Sequence, residues 1–224
     1  LLRHDDVVTL FHEFGHGLHH MLTQVDCASV SGINGVAWDA VELPSQFLEN
    51  WCWDPEALNL ISGHVETGEP LPLALLSKMQ QARNFQSGMQ MVRQLEFSLF
   101  DFRLHNEFDG NPGTLQTILD EVRAAVSVMP ISTMNRFQNG FSHIFGDVMG
   151  YAAGYYSYKW AEVLSADAFS KFKEEGVFNR QTGERFLTTV LEQGGARDAL
   201  DLFVDFRGRA PSIAALLHQE GILR

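Results

Sequence analysis

The chain has 224 residues, 45% hydrophobic and 20% charged, a globular composition with enough length to bury a sizeable core in one domain or two. Its net charge of −12 argues against nucleic acid and anionic membrane surfaces as partners. These residues show no signal-peptide pattern and no apolar run of the ~18 residues that would cross a bilayer, so no membrane partner is expected. Cys27 and Cys52 match neither a zinc-ligand spacing nor a disulfide framework, so a reducing compartment, the cytoplasm, is the expected setting.

Residues 5–24 read as a helix, with Val7, Val8, Leu10, Phe11, Phe14, Leu18 and Leu22 at helical spacing. Within it lies His12-Glu13-Phe14-Gly15-His16. Two histidines four apart share one helix face, one turn above the other, so both imidazoles can reach one metal. The intervening Glu13 sits where a carboxylate can take a proton from an activated water. This is the spacing of the zinc metalloprotease signature. His19 and His20 are expected to be non-ligands. Asp5 and Asp6 precede the motif, where the positive end of the helix dipole favours acids.

Ser29 to Val36 reads as loop with a short strand. Residues 40–52 return to a helical pattern, with Pro44 able to sit in a first turn, and a short helix follows over 55–62. After the loop Thr67–Pro72, one long periodic run carries Ala82, Phe85, Met89, Val92, Leu95, Leu99 and Phe102. A second stripe of Phe97, Phe100, Leu104 and Phe108 implies a helix covered on more than one side, in a packing role. Asp109–Gly113 ends it. An amphipathic helix over 114–128, an irregular stretch over 130–140 and a helix over 152–174 follow. Shorter helices are expected around 183–192, 197–206 and 211–219. No alternating strand pattern or repeat appears, so the predicted class is all-α.

A catalytic zinc takes three protein ligands and keeps one position open. The third ligand must come from outside the motif. Spacing leaves Glu42, Asp39 and Glu49 as candidates. Glu42, Ser45 and Glu49 fall at i, i+3 and i+7, so Glu42 could serve as ligand while Glu49 or Ser45 orients the ligands. All four tyrosines lie in Tyr151-Ala152-Ala153-Gly154-Tyr155-Tyr156-Ser157-Tyr158. Tyr151, Tyr155 and Tyr158 would share one helical face, and a polar task suits such a concentration: donating hydrogen bonds to a developing oxyanion. His143 could add a donor. Arg207 and Arg209 read as solvated or structural.

These three motifs, His12 to His20, Val41-Glu42-Leu43-Pro44-Ser45-Gln46 and Tyr151–Tyr158, resemble the thimet oligopeptidase family of zinc peptidases, in order and over essentially the whole chain. The resemblance implies that His12, His16 and Glu42 hold zinc, that Glu13 is the catalytic carboxylate, and that Tyr151, Tyr158 and His143 lie near the scissile carbonyl. In one departure, the link Gly146-Asp147-Val148-Met149-Gly150 is longer than the family's glycine-rich link. Members are mainly helical, two-lobed around a deep channel, and act on short unstructured peptides. Residues 1–224 would then be the carboxyl-terminal part of the catalytic domain, with an amino-terminal portion of the full-length enzyme as its partner. Two alternatives accompany the endopeptidase expectation. One is a dipeptidyl carboxypeptidase of the same chemistry; the other is a zinc-stabilised piece that turns nothing over alone.

Overall fold

A computed structural model describes residues 1–147 and 150–223, and among these every regular element is helical. The all-α expectation holds. No helix among the described residues is long and apolar enough to cross a membrane.

Helix α1 spans His4–Met21, with Asp5 and Asp6 in its first turn and His19 and His20 in its last. The two acids complement the positive end of the helix dipole. Leu22 closes it with an N–H bond to the Leu18 carbonyl. The stretch expected to carry a short strand contains instead a 3-10 turn, Ala28–Val30. Residues expected as one helix over 40–52 form α2 (Trp38–Val41), α3 (Leu43–Glu49) and a 3-10 turn, Asn50–Trp53. Pro44 explains the cut. It has no N–H to offer the Ala40 carbonyl, so the helix restarts with Pro44 in its first turn and Glu42 at the joint.

Helix α4 (Pro55–Ile61) is capped by Asp54, which accepts N–H bonds from Glu56 and Ala57. Next come α5 (Leu73–Arg83) and α6 (Ser87–Glu107), separated at Gln86, whose φ is 58°. Helix α7 (Pro112–Val126) is capped by Asn111, and α8 is the short Ser142–Phe145. The last four are α9 (Ser157–Glu175), α10 (Arg180–Thr189), α11 (Ala199–Arg207) and α12 (Ala214–Gln219). Helix α9 starts five residues later than the expected 152, because Tyr151–Tyr156 is a turn.

The chain forms two compact units, residues 1–85 with 160–224, and residues 86–159. In the first, Phe47 of α3 stacks on Phe186 at 4.2 Å between ring centroids and meets Trp51, Phe169 and Phe172 edge-on. Removing one such ring typically costs ~3–5 kcal/mol. The centre of this unit therefore anchors the helix that carries Ser45 and Glu49. Asp167 of α9 is fully buried and accepts bonds from Arg207, Arg209 and the Ser212 N–H. Both arginines are thereby structural, tying the final segment down.

In the second unit, Phe100 and Leu104 of α6 pack with Ile118, Leu119 and Val122 of α7 and with Phe141, Ile144 and Tyr155. The buried Arg123–Glu96 pair, at 2.9 Å, bridges α7 to α6. The stripe expected to be covered on the other side is not. Among the described residues Phe85, Met89, Leu95, Leu99 and Phe102 are exposed, and the helix is interrupted between the first two of them. Periodicity marked two apolar faces of α6, and only that of Phe100 and Leu104 is packed.

Candidate metal centre

Helix α1 presents His12 and His16 on one face, their rings 5.0 Å apart and nearly perpendicular. Glu42 approaches from the α2–α3 joint. Its Oε2 lies 3.3 Å from His12 Nε2 and 3.1 Å from His16 Nε2. All three donor atoms fall within 4.8 Å of one another. Zinc takes histidine nitrogen and carboxylate oxygen at about 2.0–2.2 Å, which in a tetrahedron spaces neighbouring donors by about 3.4 Å. The Glu42–His separations match that spacing to within a few tenths, so the residues fit the ion.

A buried carboxylate costs several kcal/mol unless it is paired and hydrogen-bonded. Glu42 is 5% exposed and takes a 2.9 Å bond from Ser45 Oγ in addition to the imidazoles. His12 is held from behind, its Nδ1 2.7 Å from Glu49 Oε1, which leaves Nε2 facing Glu42. Burial disfavours charge on His12, but hydrogen bonds and charge from Glu42 and Glu49 outweigh it and raise its pKa to about 10. The same two carboxylates would stabilise a cation in the proton's place. Of the two side chains that spacing offered as support, Glu49 lies against His12 and Ser45 against Glu42. Of the three acids left open, only Glu42 reaches both Nε2 atoms; Asp39 is outside the cluster.

Gly15 makes the approach possible, and the sequence reading passed over it. A Cβ at this position would stand 2.5 Å from Ser45 Cα and 2.6 Å from the Pro44 carbonyl oxygen. The helix backbones touch there, and any side chain would force them apart. A glycine inside a helix costs about 1 kcal/mol against alanine, so its presence mid-motif was itself a sign of close backbone approach.

Glu13 is exposed on α1 between the two histidines. His19 is not in the donor cluster; it is buried, and burial together with the charges of His16 and His20 lowers its pKa to about 4.

The second unit gathers the other expected residues. Tyr151 and Tyr158 stack at 4.7 Å with 25° between ring planes. The exposed His143 ring lies 6.3 Å from Tyr151 and 6.1 Å from Tyr158. Its main-chain carbonyl accepts the Tyr151 N–H at 3.1 Å. Val148 and Met149 of the long link fall outside the described residues. Tyr155 lies in the same cluster, its ring 5.4 Å from Tyr158 and 5.9 Å from His143, but it is buried against Phe97 and Phe141, and burial with the nearby Tyr158 raises its pKa.

Comparison with known proteins decides the family. The model for peptidase family M3 matches residues 1–222. The chain belongs to peptidase family M3. It is 61% identical over 224 residues to oligopeptidase A of Escherichia coli, covering 99% of this chain and 32% of that protein. It is also 37% identical to the dipeptidyl carboxypeptidase of Escherichia coli over 99% of the chain and 32% of the relative. Saccharolysin of Saccharomyces cerevisiae is 35% identical, over 99% and 31% respectively. The chain thus spans about a third of the length of these M3 relatives.

Proposed function

We propose that this chain carries the metal centre of a zinc-dependent oligopeptidase that hydrolyses peptide bonds in short, unstructured peptides. The observation that carries the reading is the convergence of His12 Nε2, His16 Nε2 and Glu42 Oε2 in a chain of this family. Bound there, zinc supplies Lewis-acid chemistry, polarising a carbonyl and making water acidic enough to lose a proton near neutral pH. Glu13 takes the proton from the attacking water and delivers it to the departing amine nitrogen. Tyr158, with Tyr151 and His143 beside it, donates a hydrogen bond to the carbonyl oxygen as negative charge develops. Glu49 holds the His12 tautomer, and Ser45 holds Glu42.

Further parts of the reading rest on the relatives. The amino-terminal portion of a longer protein would complete a two-lobed channel around the substrate, and residues 1–224 would be the carboxyl-terminal part of the catalytic domain. We place the setting in the cytoplasm on the strength of the two cysteines, which match no disulfide framework; two similar proteins of Arabidopsis thaliana are a probable cytosolic and an organellar oligopeptidase A.

The test is Glu13→Gln in the full-length enzyme. Zinc content should stay at one per chain while kcat falls by about 10²–10⁴, the usual worth of a general base. Wild-type turnover by this variant would remove Glu13 from the reaction. The likeness to a dipeptidyl carboxypeptidase supports a second reading, removal of carboxyl-terminal dipeptides. A nonapeptide with a blocked carboxyl terminus separates them: internal cleavage supports the oligopeptidase, and no cleavage supports the alternative.

A further inference from the structure

Asp101 sits on α6, fully buried, in the apolar surroundings of Phe100 and Leu104. A carboxylate in such a place needs partners, and the described residues supply them. Its Oδ1 accepts the Ala153 N–H at 2.9 Å and its Oδ2 accepts the Tyr155 N–H at 2.9 Å. His105 Nδ1, one turn along α6, lies 2.9 Å from Oδ1. Two of these donors belong to one turn. That turn begins at Tyr151, whose carbonyl accepts the Gly154 N–H at 2.8 Å, and it runs into α9 through the Ser157 N–H bond to the Gly154 carbonyl.

Ala153 lies at the middle of the turn with a φ of 55°, a left-handed conformation that residues with a Cβ seldom adopt. Alternate N–H groups aimed at one point form a small anion-binding concavity. Here the anion is supplied from within the chain. If the carboxylate were absent, one buried and one part-buried N–H group would lose their acceptor and Ala153 would lose its reason to stay left-handed. The two rings flanking the turn, Tyr151 and Tyr158, stack at 4.7 Å.

We infer that Asp101 is a positioning residue for the phenol pair: its carboxylate fixes the Tyr151–Ser157 turn and through it the placement of Tyr151 and Tyr158. This rests on the reading above that the phenols serve the reaction. Asp101 acts only through the turn it holds.

The experiment is a mutant cycle in the full-length, zinc-loaded enzyme, with Asp101→Asn in the wild-type background and in a Tyr151→Phe/Tyr158→Phe background. Asparagine keeps the shape but offers one acceptor oxygen and turns an amide toward an N–H donor. The expected result is a kcat about 10- to 100-fold lower in the wild-type background with KM within about threefold, zinc content unchanged, and less than about twofold further loss once both phenols are gone. An equal loss in both backgrounds, or no loss in the first, overturns the assignment. Should the phenol-free enzyme itself turn over at the wild-type rate, it is the role of the tyrosines that fails, and this outcome is read without Asp101. If Asp101→Asn does not yield folded protein, Ala153→Val leaves the carboxylate in place and disfavours the left-handed turn. It should lower kcat by a similar factor, and wild-type kcat in that variant overturns the proposal.

Discussion

The candidate metal centre and the tyrosine turn hold their side chains by opposite means. At the metal centre the donors ride on α1 and at the α2–α3 joint, and their spacing follows from helix pitch and from two backbones in contact at Gly15. In the tyrosine turn no helix sets the geometry. A single buried carboxylate from another element gathers the N–H groups of Ala153 and Tyr155. Local periodicity therefore describes the first region well and the second badly. A site built from regular structure can be read from spacing; one built on a tertiary hydrogen bond is invisible until its partner is known.

The largest effect that would break this contrast is expected at Gly15. Gly15→Val should lose bound zinc and a further 1–3 kcal/mol of stability, because overpacking drives α1 and α3 apart. Zinc content and a thermal melt check it, and a stoichiometrically loaded variant would show that backbone contact does not set the donor spacing. A smaller loss is expected at Glu49, which holds one ligand from behind. Glu49→Ala should weaken zinc affinity about 10- to 100-fold without unfolding the chain, measured by competition with a chelator. Unchanged affinity would mean that His12 needs no support behind it. The smallest effect sharpens the tyrosine side. Tyr155→Phe should change stability by less than ~1 kcal/mol and kcat by less than about twofold, since its ring serves the core. A hundredfold fall in turnover would place Tyr155 with Tyr151 and Tyr158.

Particular residues show how far the sequence could be read. The amphipathic pattern and acidic first turn of α1 marked the motif helix, which begins within a residue of expectation and stops three residues short. Glu42 was one of three acids by spacing, and only the α2–α3 joint forced by Pro44 brings it alone to both imidazoles. Tyr151–Tyr158 looked helical because its composition permits a helix, yet Asp101 takes the N–H groups that a helix would have turned inward. A trace of this was visible: an acid beside Phe100, in a segment otherwise carrying the core. The stripe of Leu95, Leu99 and Phe102 misled in the other direction. Regular apolar spacing shows that a face can be packed, and the described residues leave this one exposed.

At Gly15 the two main chains that carry the imidazoles and the carboxylate approach so closely that no Cβ fits between them. An engineer seeking to seat a larger, oxygen-loving ion such as calcium would gain little from swapping neighbouring side chains, since such ions want donors farther out and more of them. Widening the cradle would require re-routing the chain around Pro44. Changing the donor atoms themselves is the more accessible handle on which ion is chosen.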